Sequence, residues 1–273
     1  MMAESPGPDG DFYGPQLARI HHARFGELAR SAAGYLLTEL AAGGQRSGTV
    51  VDLGCGSGIL AGLVCDAGYQ VLGIDISAAM IELARQQAPG AGLRVGSLHE
   101  AGLPAGCVAV TAIGECVNYA VSGEAGPDAF ERLARRVHAA LGEGGLFLLD
   151  VSGPTQPGVA QRFHQDKDWC LGMIAEEAAD PPTLTRRITI FAAGPDGCYQ
   201  RHDEHHQLRL LARPHAKAIL LAAGFEVGVR PGYQRFSLTG ELPGWYVIHA
   251  RKPGQQPGLP YAALSPRPAW RTS

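Results

Sequence analysis

Three stretches of this sequence hold residue types at spacings that suit chemistry. The first is Val51-Asp52-Leu53-Gly54-Cys55-Gly56-Ser57-Gly58. Alternate glycines behind an apolar run let the backbone turn tightly and let a ligand come within contact distance. A helix opening just after such a loop turns free N–H groups toward that ligand. Asp75 ends the next apolar run, where a carboxylate can accept hydrogen bonds from the hydroxyls of a ribose. Loop and acid together predict a nucleotide-like ligand. A dinucleotide loop reads G-x-G-x-x-G, whereas this one reads G-x-G-x-G with Asp52 two residues ahead. Asp52 opposes a pyrophosphate and suits a ligand that carries positive charge.

The second stretch is Gly114-Glu115-Cys116-Val117-Asn118-Tyr119, directly after an apolar run. It places Gly114, Glu115, Asn118 and Tyr119 at the same edge as the glycine loop. The third is His202-Asp203-Glu204-His205-His206. On a strand, His202, Glu204 and His206 share one face. That face suits a proton-accepting pair, a divalent metal or plain solvent. We take His206, Glu204 and Tyr119 as candidate catalytic groups and assign no metal. Glu115, Asn118, Trp169, His202 and Tyr233 are the expected walls of a substrate pocket. His21-His22 reads as helix surface with one residue turned inward.

The elements that must position these residues alternate. Residues 15–40 carry apolar positions at helical spacing, and Gly43-Gly44 ends the region. Short apolar runs at 49–53, 71–74, 93–95, 108–113 and 146–151 alternate with helical patterns at 59–67, 78–87 and 127–141. Strand and helix in alternation predict a doubly wound, mostly parallel, seven-stranded α/β sheet of Rossmann-like type. Right-handed crossovers then bring the C-terminal strand ends to one edge, where ligands bind. The rhythm breaks after Ser152. Residues 153–168 read as loop or irregular helix, followed by β-like segments at 169–176, 184–191 and 198–210. These predict a small antiparallel β cap over the site. Helix 214–223 and strands 225–230 and 245–250 complete the sheet. The expected domains are 15–152 with 214–252 for the ligand, and 153–213 for the cap. Residues 1–14 and the Pro- and Gly-rich 253–273 read as flexible.

The chain has 273 residues and a formal net charge of -3, with 23 Lys+Arg against 26 Asp+Glu. This balance offers no basic stripe for nucleic acid and no attraction to an anionic membrane. No apolar run reaches the roughly 18 residues that span a bilayer. The polar start lacks the apolar core of a secretory signal. Six cysteines show no C-x-x-C pair or zinc spacing, which predicts reduced thiols in a cytoplasmic protein.

Over 50–150 the sequence resembles the class I S-adenosylmethionine-dependent methyltransferases of small-molecule type. Asp52-Leu-Gly-Cys-Gly-Ser-Gly58 matches that family's glycine motif, and Val71-Leu-Gly-Ile-Asp75-Ile-Ser77 its second motif. Leu141-Gly-Glu-Gly-Gly145 with 146–150 resembles the turn and strand near its fifth strand. The resemblance implies that Gly54, Gly56 and Gly58 flank the methionine part of S-adenosylmethionine and that Asp52 orients it. Asp75 would bind the ribose and Ile76 would pack on adenine. Ser97 stands where the family often has an acid toward the adenine amino group, leaving its hydroxyl and the Leu98 N–H for that contact. Gly114 would lie beside the cofactor, and Tyr13 would close over it. The expected reaction is in-line methyl transfer to a nitrogen or oxygen of a small molecule, leaving S-adenosylhomocysteine, with a homodimer as a possible assembly. The rivals are an NAD(P)-dependent oxidoreductase and a catalytically silent cofactor-binding protein.

Overall fold

The computed structural model describes residues 12–121, 125–194, 196–233, 236–237 and 244–254. Two helices, α1 (Pro15–Arg24) and α2 (Gly26–Ala42), open the chain and break at Phe25. There follow β1 (Thr49–Leu53), α3 (Ile59–Asp66), β2 (Gln70–Asp75), α4 (Ala78–Gln87), β3 (Gly92–Val95), β4 (Cys107–Ala112), α5 (Pro127–Ala140) and β5 (Leu141–Ser152). Local chemistry sets several of these ends. Ser77 caps α4 by accepting the Met80 N–H at 3.1 Å. Pro127 opens α5, whose Phe130, Leu133, Ala134 and Val137 recur on one buried face. The sequence reading ended the fifth helix one residue late and began its strand five residues late. Backbone pairing of Leu141 with Cys107 draws the start of β5 back to the helix end.

The cap holds four strands: β6 (Gly158–Asp166), β7 (Trp169–Ala179), β8 (Pro182–Ala193) and β9 (Tyr199–Arg209). Three were expected. β6 was read as loop because most of it is exposed on both faces, so no apolar alternation marks it. It forms because its backbone pairs antiparallel with β7 along its whole length. The chain then returns through α6 (Arg213–Ala222), β10 (Glu226–Arg230), β11 (Gly232–Tyr233), β12 (Phe236–Ser237) and β13 (Trp245–Arg251).

The main sheet has seven strands in the order β10-β13-β5-β4-β1-β2-β3, with β13 antiparallel to its neighbours. β1 lies between β2 and β4, so the strand order reverses there and opens a crevice at the C-terminal ends. Alternating residues of β5 fill two cores. Phe147, Leu149 and Val151 pack toward α5 and α6, while Leu146 and Leu148 pack toward α2 and α3. A third cluster joins Leu17 and Ile20 of α1 to Leu171, Ile188 and Ile190 of the cap. The cap sheet therefore sits on α1.

Among the described residues, no helix is long and apolar enough to cross a membrane. Residues 1–11 and 255–273, read from sequence as flexible, lie outside the described residues. Phe12 to Gly14 were grouped with them but are held from several sides, as detailed below.

Candidate active site

The glycine loop is locked to β2 by two hydrogen bonds, from the N–H groups of Gly54 and Cys55 to the Ile74 carbonyl. Gly56 has φ +53, and a Cβ built there meets no atom within 4 Å, because it points into an open cavity. Gly58 does different work. Its φ is +80, and a Cβ there would lie 2.9 Å from Ala84 of α4. Gly58 lies outside the cavity lining. Its role is to let α3 and α4 approach.

Asp75 stands at the cavity edge with both oxygens engaged. Oδ2 accepts the Gly56 N–H and Oδ1 accepts the Ser77 N–H, each at 2.8 Å. Each oxygen keeps a lone pair, so the carboxylate can still accept from a ribose diol. Burial raises its pKa, and the two backbone donors work against that shift. Asp52 lies beneath the loop, outside the cavity lining, and accepts the Thr111 hydroxyl at 2.6 Å. Burial pushes Asp52 up to about 7.

The cavity is a cleft with about 110 Å³ of space open to water. Ile76, 40% exposed, and Met80 offer apolar surface at one end, beside Ser97, Leu98 and His99. The Ser97 oxygen accepts the His99 N–H at 3.1 Å, leaving its hydroxyl proton to donate. Gly54, Gly114 and Cys116 line the middle. Asp150 fixes this middle section. It accepts the N–H groups of Gly114 and Glu115 at 3.0 and 2.6 Å and the Tyr233 hydroxyl at 2.9 Å. Burial, partly offset by those donors, pushes Asp150 up to about 6. Glu115 sits at φ +59, a conformation that a non-glycine residue holds only when its surroundings force it.

The far end is built from Phe12, Tyr13, His21, Tyr119 and Val121. The hydroxyls of Tyr13 and Tyr119 lie 3.0 Å apart. His21 was read only as a helix residue, yet its ring lines this end, edge-on to Tyr13 at 5.1 Å between centroids. Burial brings the His21 pKa down to about 4, so the imidazole is neutral at pH 7.

His206 and Glu204 are not aimed at a substrate. His206 is 1% exposed, with its ring among those of Phe12, Tyr13 and Tyr119. Its Nε2 lies 2.8 Å from Glu204, whose two oxygens also accept the N–H groups of Tyr13 and Gly14, each at 2.9 Å. Neither residue lines the cavity. Their catalytic assignment is corrected because three donors already engage the carboxylate. His202, on the same strand face, lines a broad hollow on the cap together with Glu204. Among the described residues no group of three or more His, Cys, Asp or Glu can hold a metal ion.

Four expected pocket walls serve the framework. Glu115 is paired with Arg186 of the cap at 2.8 Å and accepts the Ser152 hydroxyl. The Arg186 guanidinium outweighs burial and lowers the Glu115 pKa. Asn118 accepts the Ser152 N–H and donates to the carbonyls of Ser152 and Arg209. Tyr233 is buried against Trp245 and Tyr35. Trp169 packs beside the cluster under the cap. Each is polar or aromatic, and each finds its partner elsewhere in the chain.

Residues 51–149 match the model of a methyltransferase domain family. A dTDP-3-amino-3,6-dideoxy-alpha-D-glucopyranose N,N-dimethyltransferase of Streptomyces fradiae is 26% identical over 246 residues, spanning 87% of this chain and 94% of that protein. Among solved structures, an S-adenosylmethionine-dependent methyltransferase from Clostridium acetobutylicum superposes with TM-score 0.74 at 16% identity, over 88% of this chain and 98% of the other. The amino pentose methyltransferase CalS10 from Micromonospora echinaspora, solved with S-adenosylmethionine bound, gives TM-score 0.68 at 19% identity, over 89% and 99%. The family match ends before the cap, whereas the relative and the two structures span most of the chain.

Proposed function

The chain is a class I S-adenosylmethionine-dependent methyltransferase of small-molecule type, and from that premise we propose that it methylates an amino nitrogen on a sugar-like acceptor. The observation that carries this reading is the pair of phenols, Tyr13 and Tyr119, at the far end of the cofactor cavity. The relative from Streptomyces fradiae, named for an amino sugar, supports it.

S-adenosylmethionine, when bound, supplies a methyl group on a sulfonium cation. The chain's own residues do the rest. Asp75 takes the ribose, Ile76 covers the adenine, and open Gly56 admits the methionine part. The phenols accept from and donate to the acceptor's N–H and hydroxyl groups, which turns the nitrogen lone pair toward the methyl. Orientation of this kind is worth up to ~7–11 kcal/mol. A neutral His21 adds no second positive charge beside the sulfonium. Among the described residues no side-chain carboxylate lines the phenol end of the cavity. The nitrogen lone pair must be free to take the methyl, so the acceptor reacts as the free amine. Its proton leaves to solvent after transfer.

The remaining parts of the reading follow from charge and surface. The near-neutral chain suits a small molecule rather than nucleic acid. Six free cysteines suit the reducing cytoplasm. Val159, Phe163, Ile174, Phe191 and Tyr199 stand exposed on one face of the cap sheet, where a second copy of the chain would cover them.

A screen with methyl-labelled S-adenosylmethionine tests the reaction. Free and nucleotide-linked amino sugars should be labelled, at a rate that rises with pH through the amine's own pKa. Labelling confined to phenols or carboxylic acids would overturn the amine assignment. Binding of NAD in place of S-adenosylhomocysteine would overturn the cofactor.

A further inference from the structure

We infer that Glu204 is a positioning residue for methyl transfer, acting on the acceptor through the backbone of Tyr13. This rests on the proposed acceptor end, and it assigns a task to a carboxylate that does not touch the cavity.

Tyr13 is held at three points. Its N–H and that of Gly14 donate to the two oxygens of Glu204, at 2.9 Å each. Its carbonyl accepts the Ser77 hydroxyl at 2.7 Å. Its phenol meets that of Tyr119 at 3.0 Å. The residue sits at φ +53, a conformation with few residents among non-glycines. That conformation turns consecutive N–H groups to one side, which makes a concave seat for an anion. The seat lies at the N-terminus of α1, where negative charge is also favoured. Glu204 fills it from the cap, and His206 Nε2 braces the same carboxylate at 2.8 Å.

The Ser77 contact extends the chain of bonds. The Ser77 N–H donates to Asp75, the residue that takes the ribose. One residue, Tyr13, is thus tied to the cofactor side by its carbonyl, to the cap by its N–H and to the acceptor by its phenol. Without Glu204 the N–H groups of Tyr13 and Gly14 lose their cap acceptor, leaving Tyr13 only its ring packing against His206 and the cap cluster, and the phenol loses its register against Tyr119. The cofactor's own contacts at Asp75, Ile76 and Gly56 remain.

The test is a double-mutant cycle on the full chain, with Tyr13→Phe and Glu204→Ala read for acceptor kcat/KM and for S-adenosylhomocysteine affinity. Glu204→Ala should lower acceptor kcat/KM by about 10–100-fold, the scale of a misplacement near 1 Å. Its cofactor affinity should change less than about 3-fold, as expected for contacts that stay in place. In the Tyr13→Phe background the same substitution should add little, because the two act as one unit. Glu204→Gln, which keeps one acceptor oxygen, should fall between, and it carries the cycle alone if the alanine variant does not fold. Full additivity, or a normal rate for Glu204→Ala, overturns the inference. If neither Tyr13→Phe nor Tyr119→Phe affects the rate, the acceptor end itself is wrongly placed. If Tyr13→Phe is impaired while Glu204→Ala is normal, only the role of Glu204 falls.

Discussion

Asp52 is a buried carboxyl beneath the glycine loop, and its charge state bears on what the loop can hold. Burial holds its pKa at about 7, against the Thr111 hydrogen bond that favours the ionised form. Near neutrality the group is therefore divided between protonated and ionised forms. A cation bound above it favours the ionised form, so binding expels a proton. Affinity must then rise as pH rises from 6 to 8, because the proton is already gone at the upper end. We expect about 3- to 10-fold tighter binding of S-adenosylmethionine across that range, following proton linkage. Asp52→Asn should remove this part of the dependence. Calorimetry in buffers of different ionisation heat measures the proton, and identical pH profiles for the two proteins would refute the role. Burial raises the Asp75 pKa as well, with two backbone donors working against the shift.

At the scale of elements, the glycine loop divides its labour between ligand and packing. Gly56→Val should abolish cofactor binding, and because its Cβ enters open space its stability cost should be limited to the strain of a side chain at φ +53. Gly58→Val should do the reverse first. Its Cβ collides with Ala84, so thermal melting should fall by several degrees, corresponding to about 1–3 kcal/mol of overpacking. Scanning calorimetry and a ligand titration on both proteins separate the two. Equal loss of binding at unchanged stability would return Gly58 to the site.

This division also marks what could be read from the chain. The loop, the capping Ser77 and the acid at the end of β2 are local devices, so residue type and neighbours suffice to find them. Glu115, Asn118 and Glu204 are polar groups with partners tens to hundreds of positions away, as between Glu204 and Tyr13. Spacing cannot say whether such a group faces a ligand or its own fold. His21 was hidden for a related reason. A single histidine on a helix becomes a cavity wall only once the cap lies over α1. β6 was missed because a strand exposed on both faces has no hydrophobic period.

At the scale of the whole molecule, one face of the cap sheet turns large apolar side chains to solvent, interleaved with Glu176, Arg187, Arg201 and Asp203. Val159, Phe163, Phe191 and Tyr199 are exposed large residues on the same face of the cap. If a second copy covers that face, the chain should run as a dimer in light scattering at micromolar concentration. Phe163→Arg should shift it toward monomer without weakening cofactor binding. A monomeric parent chain would leave that face for solvent.

The cap is stapled to the sheet domain at many points. Tyr119 bridges Leu208, the Ala120 N–H reaches Gln207, the Leu211 N–H reaches Ser152, and Arg186 holds Glu115. A roof fixed so widely does not swing. Phe12 to Gly14 are fastened through Glu204, Ser77 and one phenol contact, and Phe12 and Tyr13 wall the far end of the cavity. If these contacts part and re-form, the acceptor end is complete only while they are made, which would set an order of arrival for the two ligands.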